Sequence, residues 1–279
     1  MSPTNSSKGR SRARQLRWID IYRPEDTHIV NLDSVKEFLS ELFPTIRISI
    51  KPRIDRLVED PGASAKEFAL ARMKNPDSST QDFEPMYGEL DYEERVVNGD
   101  ARPGGVVYDG RLLEEIYSGL VGRRGLEVAS IVLTDRLVST FSHDDLRHHL
   151  RTIVCGFPSI VSIPGIVEAP ALPREYYLAR QRLEAQGCGD LDLRMLKDSF
   201  RGRYFDYKDP RTADVLKGLV LQGVLYHLTL RPFCLHKNCR LFNAHWQADL
   251  IRSQIKSGGL CRAHQKQLSD LRQDPIINW

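Results

Sequence analysis

The sequence has little cysteine and no hydrophobic run long enough to cross a bilayer. Its 279 residues include five cysteines, and it lacks the charged start, apolar run and small-residue cleavage site that mark a secreted protein. These absences argue against secretion and membrane insertion, so we expect a cytoplasmic protein with no membrane partner. In a reducing compartment, clustered cysteines are more often metal ligands than disulfides.

The sequence also lacks a charge excess of one sign. Its 40 basic and 37 acidic residues leave a formal charge of +3, so no overall field indicates a nucleic-acid partner. The exception is residues 1–17, which contain five basic residues and no acidic one. We predict a disordered basic arm over this range, able to contact polyanions weakly. The sequence has no glycine-rich phosphate loop and no nucleophile elbow.

The soft metal ligands cluster near the end of the sequence. Four residues follow the spacing C-x4-C-x21-C-x2-H: Cys234, Cys239, Cys261 and His264. Three thiolates and an imidazole are a ligand set of closed structural zinc sites, in which protein fills all four positions. We therefore predict one structural Zn2+ as the cofactor. His236 is the alternative fourth ligand, although a histidine two residues after Cys234 requires a tight loop.

Apolar periodicity divides the sequence into three further parts. Residues 18–73 have strand patterns at both sides of a helical pattern, which predicts the N-terminal α/β part of a sheet domain. Residues 74–105 have little apolar periodicity, and we predict a flexible insertion or linker. Residues 106–279 form the predicted core. Within it, residues 213–228 are apolar on nearly every helical face, which indicates a buried helix.

A polar cluster in the core range has a different interpretation. Residues 142–149 have the sequence SHDDLRHH, in which Ser142 is placed to cap a helical turn. On such a turn, Asp145 and His149 would lie one above the other. Two exposed weak ligands do not hold a metal unless other residues complete the shell. We interpret the segment as a solvated polar turn.

One part of the sequence resembles a known family. The order of buried helix, histidine, short turn, C-x4-C and late C-x2-H is similar to the C-terminal half of the archaemetzincins, which are metzincin-type zinc metalloproteases. In that family, HExxHxxGxxH binds the catalytic zinc and four cysteines hold a structural zinc. Three cysteines of this sequence match the first three of those four, and His264 matches the fourth. The resemblance covers about residues 105–270 and is strongest over residues 213–264.

The resemblance implies a fold and the loss of most residues of the catalytic motif. The implied fold is an α/β (α+β) zincin-like mixed sheet with a long buried helix and a zinc-stapled C-terminal helical segment. Of the catalytic motif, this sequence keeps only His227, as a remnant of the zinc site. The other motif positions, and the methionine of the Met-turn, are replaced by Gly223, Val224, Leu230, Phe233 and Leu241. Reactive zinc needs three protein ligands and a carboxylate to take the proton.

Three functions follow as hypotheses. The first is a pseudoenzyme, a non-proteolytic scaffold that binds a peptide or protein in the remnant cleft. The alternative is an active metallopeptidase with replacement ligands, for which the candidates are His236, His245, Asp249, Glu168 and Glu175. This alternative requires a second metal ion. The third is a nucleic-acid-associated zinc module that uses the basic arm, and its binding should weaken steeply with salt.

Overall fold

The computed structural model describes residues 14–24, 30–122 and 124–279. Helices and strands alternate in a mixed α/β fold, so the predicted fold class is confirmed. The strands are β1 (Trp18–Tyr22), β2 (Arg47–Lys51), β3 (Val107–Asp109), β4 (Val128–Thr134), β5 (Leu137–Ser142), β6 (Arg147–Arg151), β7 (Ile153–Val154) and β8 (Ser159–Ser162). The α-helices are α1 (Leu32–Leu42), α2 (Pro61–Leu70), α3 (Tyr87–Asn98), α4 (Gly110–Val121), α5 (Ile163–Glu168), α6 (Arg174–Ala185), α7 (Asp190–Ser199), α8 (Thr212–Thr229), α9 (Gln247–Ile251) and α10 (Arg262–Gln273). A 3-10 turn spans Ile54–Leu57, and a π-helical turn spans Arg252–Ser257.

The larger sheet has five strands in the order β2-β1-β4-β8-β7. Its first four strands are parallel, and β7 runs antiparallel to β8 at one edge. Strand β1 pairs with both β2 and β4, so the N-terminal part and the later core share this sheet. Buried side chains fill both faces of the parallel strands, as helices cover such sheets on each side.

Helix α8 is the long buried helix that the sequence predicted. It has 18 residues and is buried on nearly every face. It packs against α1 on one side and against β4 and β8 on the other. At its C-terminal end, Leu230 adopts a left-handed conformation with φ of 55° and ends the helix. The chain then enters the loop that carries Cys234 and Cys239.

The smaller sheet has the order β3-β5-β6, and it corrects the prediction for residues 142–149. That segment is the turn and second strand of a β5–β6 hairpin, not a helical turn. Phe141 pairs with His148 across the hairpin. The ring of His148 is buried and bonds with the Ser139 hydroxyl at 3.1 Å and the Ser78 carbonyl at 3.1 Å. These tertiary contacts outweigh the local capping pattern, and Asp145 bonds with His149 across the turn at 2.8 Å.

Residues 74–105 are not the flexible linker that the sequence indicated. Helix α3 lies in this range and packs against α2. Its Glu93 is fully buried, lies 2.7 Å from Arg72 Nη2 and accepts a hydrogen bond from the Tyr108 hydroxyl at 2.9 Å. The prediction was wrong because two buried glutamates attach this helix to the molecule together with only two buried valines, so the sequence shows little apolar periodicity here.

The end of the predicted basic arm also needs correction. Residues 1–13 lie outside the described residues, so the predicted polyanion contact of the arm stays a prediction. Residues 14–17 belong to the folded part, because Leu16 is buried and its N–H donates to the Pro275 carbonyl at 2.9 Å. The Ile277 N–H donates in turn to the Arg14 carbonyl at 2.9 Å. None of the described helices has the length and apolar character needed to cross a membrane.

Candidate metal centre

The four predicted zinc ligands meet at one point of the structure. One ligand atom from each of Cys234, Cys239, Cys261 and His264 lies within 4.8 Å of all the others. The Sγ atoms of Cys234 and Cys261 are 3.8 Å apart, and so are Cys239 Sγ and His264 Nδ1. Cys261 Sγ and His264 Nδ1 are 3.1 Å apart.

The two distances of 3.8 Å suit a tetrahedral ion, while the distance of 3.1 Å is shorter than the ideal one. With Zn–S bonds of about 2.3 Å and Zn–N bonds of about 2.0 Å, neighbouring ligand atoms in a tetrahedron lie roughly 3.5–3.8 Å apart. The loop after α8 supplies Cys234 and Cys239, and the start of α10 supplies Cys261 and His264. The residues present therefore fit a zinc ion with all four positions filled by protein, which is the arrangement of a structural site.

Local backbone structure positions the first two cysteines. The Cys234 N–H donates to the Leu241 carbonyl at 2.9 Å, and the Cys239 N–H donates to the His236 carbonyl at 2.9 Å. The His236 N–H points at Cys234 Sγ at 3.3 Å, and the Cys261 N–H points at Cys239 Sγ at 3.5 Å. N–H groups directed at sulfur favour the thiolate, which is the form that binds metal.

The third cysteine and the histidine belong to α10. Cys261 is the N-cap residue of this helix, where the positive end of the helix dipole favours a thiolate. Burial raises the pKa of Cys261, but hydrogen bonds from the backbone and ring of His264 outweigh burial and lower it to about 6. Burial raises the pKa of Cys239 to about 11. His264 lies one turn into α10 and faces the three sulfur atoms.

The structure brings only one of the two candidate fourth ligands into the cluster. His264 is in the cluster, whereas His236 is exposed and its Nδ1 accepts from the Asn238 N–H at 3.3 Å. Sequence spacing could not separate the two, because the path of the loop between Cys234 and Cys239 decides which way His236 points.

The positions that correspond to a catalytic zinc motif hold no ligand set. Gly223 faces the sheet, where a Cβ atom would lie 2.8 Å from Ile131 Cδ1. Val224 is fully buried. Leu230 ends α8, and Phe233 is about half exposed beyond it. These residues have no side-chain lone pair to offer a metal.

His227 forms a packing contact and a hydrogen bond. Its Nε2 lies 2.6 Å from the Leu126 carbonyl, to which the ring N–H donates. Burial lowers the pKa of His227 more than this hydrogen bond raises it, so the ring is neutral at pH 7. The Phe157 ring packs edge-on at 5.4 Å. His227 therefore lines a cavity of about 240 Å³ together with Leu126, Phe157 and Trp279.

A comparison with protein families assigns nearly the whole chain to one family. A model of the "Probable metallopeptidase family (DUF6775)" matches residues 15–271. The chain belongs to this probable metallopeptidase family. The resemblance to zinc metallopeptidases that the motif order indicated is thereby confirmed at the level of the family. No curated protein matches the sequence.

Solved structures similar to this family member include the following two. The archaemetzincin of Methanopyrus kandleri is 13% identical in sequence to this chain. The match covers 91% of this chain and 94% of the archaemetzincin chain, with a TM-score of 0.42. A zinc-dependent peptidase of Methanocorpusculum labreanum is 10% identical in sequence to this chain. The match covers 90% of this chain and 99% of the peptidase chain, with a TM-score of 0.37. Because sequence identity and TM-score are low for both structures, the assignment of this chain to its family rests on the family model alone.

In this member of the family, the replacement ligands do not assemble a second centre. Among residues 14–24, 30–122 and 124–279, the Cys3His cluster is the only group of three or more suitable ligands. His245 precedes α9, so it does not share a helix face with Asp249. The carboxylate of Glu168 accepts from the Tyr207 hydroxyl at 2.9 Å, and that of Glu175 pairs with Arg203 at 3.1 Å.

The family member has a second cavity, a cleft that the sequence did not indicate. We call it the β7 cleft. It has a volume of about 340 Å³ and lies between edge strand β7 and the loop that carries Asn243 to His245. Phe233 lines this cleft, whereas His227 lines the other cavity. Two of the positions that the resemblance assigns to the catalytic motif thus open into separate spaces.

Proposed function

We propose that this family member is a zinc-stabilised, non-proteolytic scaffold that binds a peptide or protein segment in the β7 cleft. The zinc is held by Cys234, Cys239, Cys261 and His264. When bound, it supplies a fixed cross-link between the loop after α8 and the start of α10. Because unfolded chains rarely hold a preformed site, the binding energy of such an ion is also folding energy.

The proposal rests on what occupies the three positions that would hold the zinc-binding histidines of the catalytic motif. Position 223 packs on the sheet, position 227 bonds to a backbone carbonyl, and position 233 carries an exposed phenyl ring. Zinc that activates water requires three converging protein ligands, and a base must take the proton. Val224, at the position of that base, offers no group that accepts a proton.

Binding of a peptide is supported by the edge strand. Strand β7 has a neighbouring strand only on its β8 side within the described sheet. Edge strands present unpaired backbone groups that an extended peptide can pair with. The apolar side chains of Leu150, Phe233 and Ala244 line the adjoining cleft and would contact the side chains of such a peptide.

The test is a hydrolysis assay on the zinc-loaded full chain. The substrate is a mixture of internally quenched peptides with randomised sequence, and His227→Ala is assayed beside the parent. We expect no hydrolysis above the buffer blank for either protein. Zinc-dependent hydrolysis by the parent that is lost in His227→Ala would overturn the proposal and favour the active metallopeptidase. A chelator-insensitive rate equal in both proteins would indicate a contaminating protease, to be removed before the comparison is repeated.

A further inference from the structure

The β7 cleft contains a half-buried cation with an unusual environment. Arg151 is the last residue of β6 and lines the cleft. Its Nε donates to the Thr140 hydroxyl at 2.7 Å. Burial lowers the pKa of Arg151, which the charge of Asp145 only partly offsets. Within the part of the chain that the structure describes, no carboxylate lies within the 4.0 Å of an ion pair with this guanidinium.

The rest of the cleft is lined by donors and apolar groups. Thr140, Thr152 and Asn243 contribute polar side chains, and His245 contributes an imidazole. None of the described lining residues is Asp or Glu. The Cys155 thiol is neutral as well, because burial raises its pKa to about 12. The cleft therefore has one fixed positive charge, several hydrogen-bond donors and no negative charge.

An arginine that is partly removed from water without a counter-ion is a costly group to keep. Partial burial weakens its hydration, and a ligand of opposite charge restores the lost interaction. The planar fork of the guanidinium matches the two oxygens of a carboxylate. The apolar wall of Leu150, Ile153 and Phe233 suits the carbon skeleton next to that group.

The geometry points to a peptide carboxylate, bound by Arg151, as the ligand of the β7 cleft. This inference rests on the proposed peptide-binding function and specifies its ligand. The carboxylate is that of the peptide C-terminus or that of an Asp or Glu side chain. The remaining Nη groups of Arg151 bind the oxygens, while Nε stays on Thr140. Thr152 and Asn243 lie in the same cleft to donate further hydrogen bonds.

The test uses two matched pairs of fluorescent peptide mixtures, measured by fluorescence anisotropy with the zinc-loaded full chain. The first pair differs only in a free carboxylate or an amide at the C-terminus. The second pair has amidated C-termini and differs only in Glu or Gln at one internal position. We expect tighter binding of the carboxylate form by roughly tenfold or more in at least one pair, since hydrogen bonds to charged groups are the strong ones.

Variants locate this preference in the cleft. Arg151→Gln should bind both members of a pair equally. Arg147→Gln makes the same charge change at an exposed position of β6 outside the cleft, and it should keep the preference. If Arg151→Gln does not fold, Phe233→Glu tests the same point, because a negative charge at this exposed cleft position should abolish the preference by repulsion. Circular dichroism and thermal melting establish that each variant is folded.

The outcomes separate the two proposals. Equal affinity for acid and amide forms in both pairs, weakened by Phe233→Glu, would overturn the carboxylate assignment and leave peptide binding intact. A carboxylate preference that survives both Arg151→Gln and Phe233→Glu would also overturn it. Failure of every peptide mixture to bind would overturn the peptide-binding function itself.

Discussion

At the residue scale, Gly223 shows how the motif position is used in this protein. An ideal Cβ atom at this position would lie 2.8 Å from Ile131 Cδ1 and 3.1 Å from Ser159 Cβ. The glycine allows α8 to approach β4 and β8 closely, and the sheet fills the space that a ligand side chain would need. A larger side chain at position 223 would therefore require the neighbouring side chains of the sheet to move.

Gly223→Ala should destabilise the protein although alanine is the better helix former. The added methyl group forces Ile131 to shift, and such overpacking costs about 1–3 kcal/mol. Gly119→Ala on α4 is the matched control, because its Cβ would meet no atom within 4 Å. That change should stabilise the protein by up to about 1 kcal/mol. Urea unfolding of both variants measures the difference, and equal effects would contradict the close packing of α8 on the sheet.

Single residues were predictable from the sequence where the signal is local. The spacing of the cysteines identified the metal ligands, since each ligand type and interval has a direct chemical reason. The choice between His236 and His264 stayed open because it depends on the path of a loop. Arg151 gave no signal at all, because its place in the β7 cleft follows from the β5–β6 pairing, which the sequence pattern did not reveal.

At the scale of elements, buried charges attach α3 to the molecule together with two buried valines. Arg72 lies 2.7 Å from Glu93, and its Nη1 lies 3.4 Å from Glu89. The guanidinium of Arg136 lies beside Asp55 at 3.2 Å and near Glu93 at 3.9 Å, with 2% of its side chain exposed. Charged residues in a sequence ordinarily indicate a surface exposed to solvent. The spacing of apolar residues therefore could not identify α3 as a packed helix.

Replacing Glu93 by alanine should cost about 3–5 kcal/mol, because it removes a buried carboxylate from two buried arginines and leaves each of them with a single acidic neighbour. Asp91→Ala is the control on the same helix. Its ion pair with Arg95 is half exposed, and the loss should stay within about 1 kcal/mol. Equilibrium unfolding in urea compares them. A Glu93 variant as stable as the Asp91 variant would mean that α3 is not attached through the buried ion pairs.

Other elements show the same limit of local patterns. The buried helix α8 and the strand–helix–strand pattern of β1, α1 and β2 were predicted from the sequence. The hairpin of β5 and β6 was missed, since Ser142 has the signature of a helix cap. The buried bonds of His148 with Ser139 and Ser78, which are distant in sequence, decide the conformation there.

At the scale of the whole molecule, the metal centre joins the last helix to the central one. Cys234 follows α8, and Cys261 begins α10. Arg240, next to Cys239, donates to the carbonyls of Asp214 at 2.9 Å and Gly258 at 2.7 Å. Beyond α10, the chain pairs with residues 14–17 at the start of the folded part. The centre thus holds a segment that closes the fold, which is the role of a structural site.

The α/β class and the C-terminal centre could be predicted from the sequence, while the strand order could not. Period-two patterns identify strands but carry no information on neighbours, so the order β2-β1-β4-β8-β7 and the separate sheet of β3, β5 and β6 required the structure. The β7 cleft could not be predicted either, because it depends on the position of β7 at the edge of the larger sheet.

The most direct test of the account is the number of zinc ions per chain, measured by elemental analysis of untagged protein purified without added metal. The parent, His227→Ala and Cys261→Ser are compared. The account predicts one equivalent in the parent and in His227→Ala, and its loss in Cys261→Ser with a lower melting temperature, because metal binding here is folding energy. Two equivalents in the parent, one of them lost in His227→Ala, would contradict it.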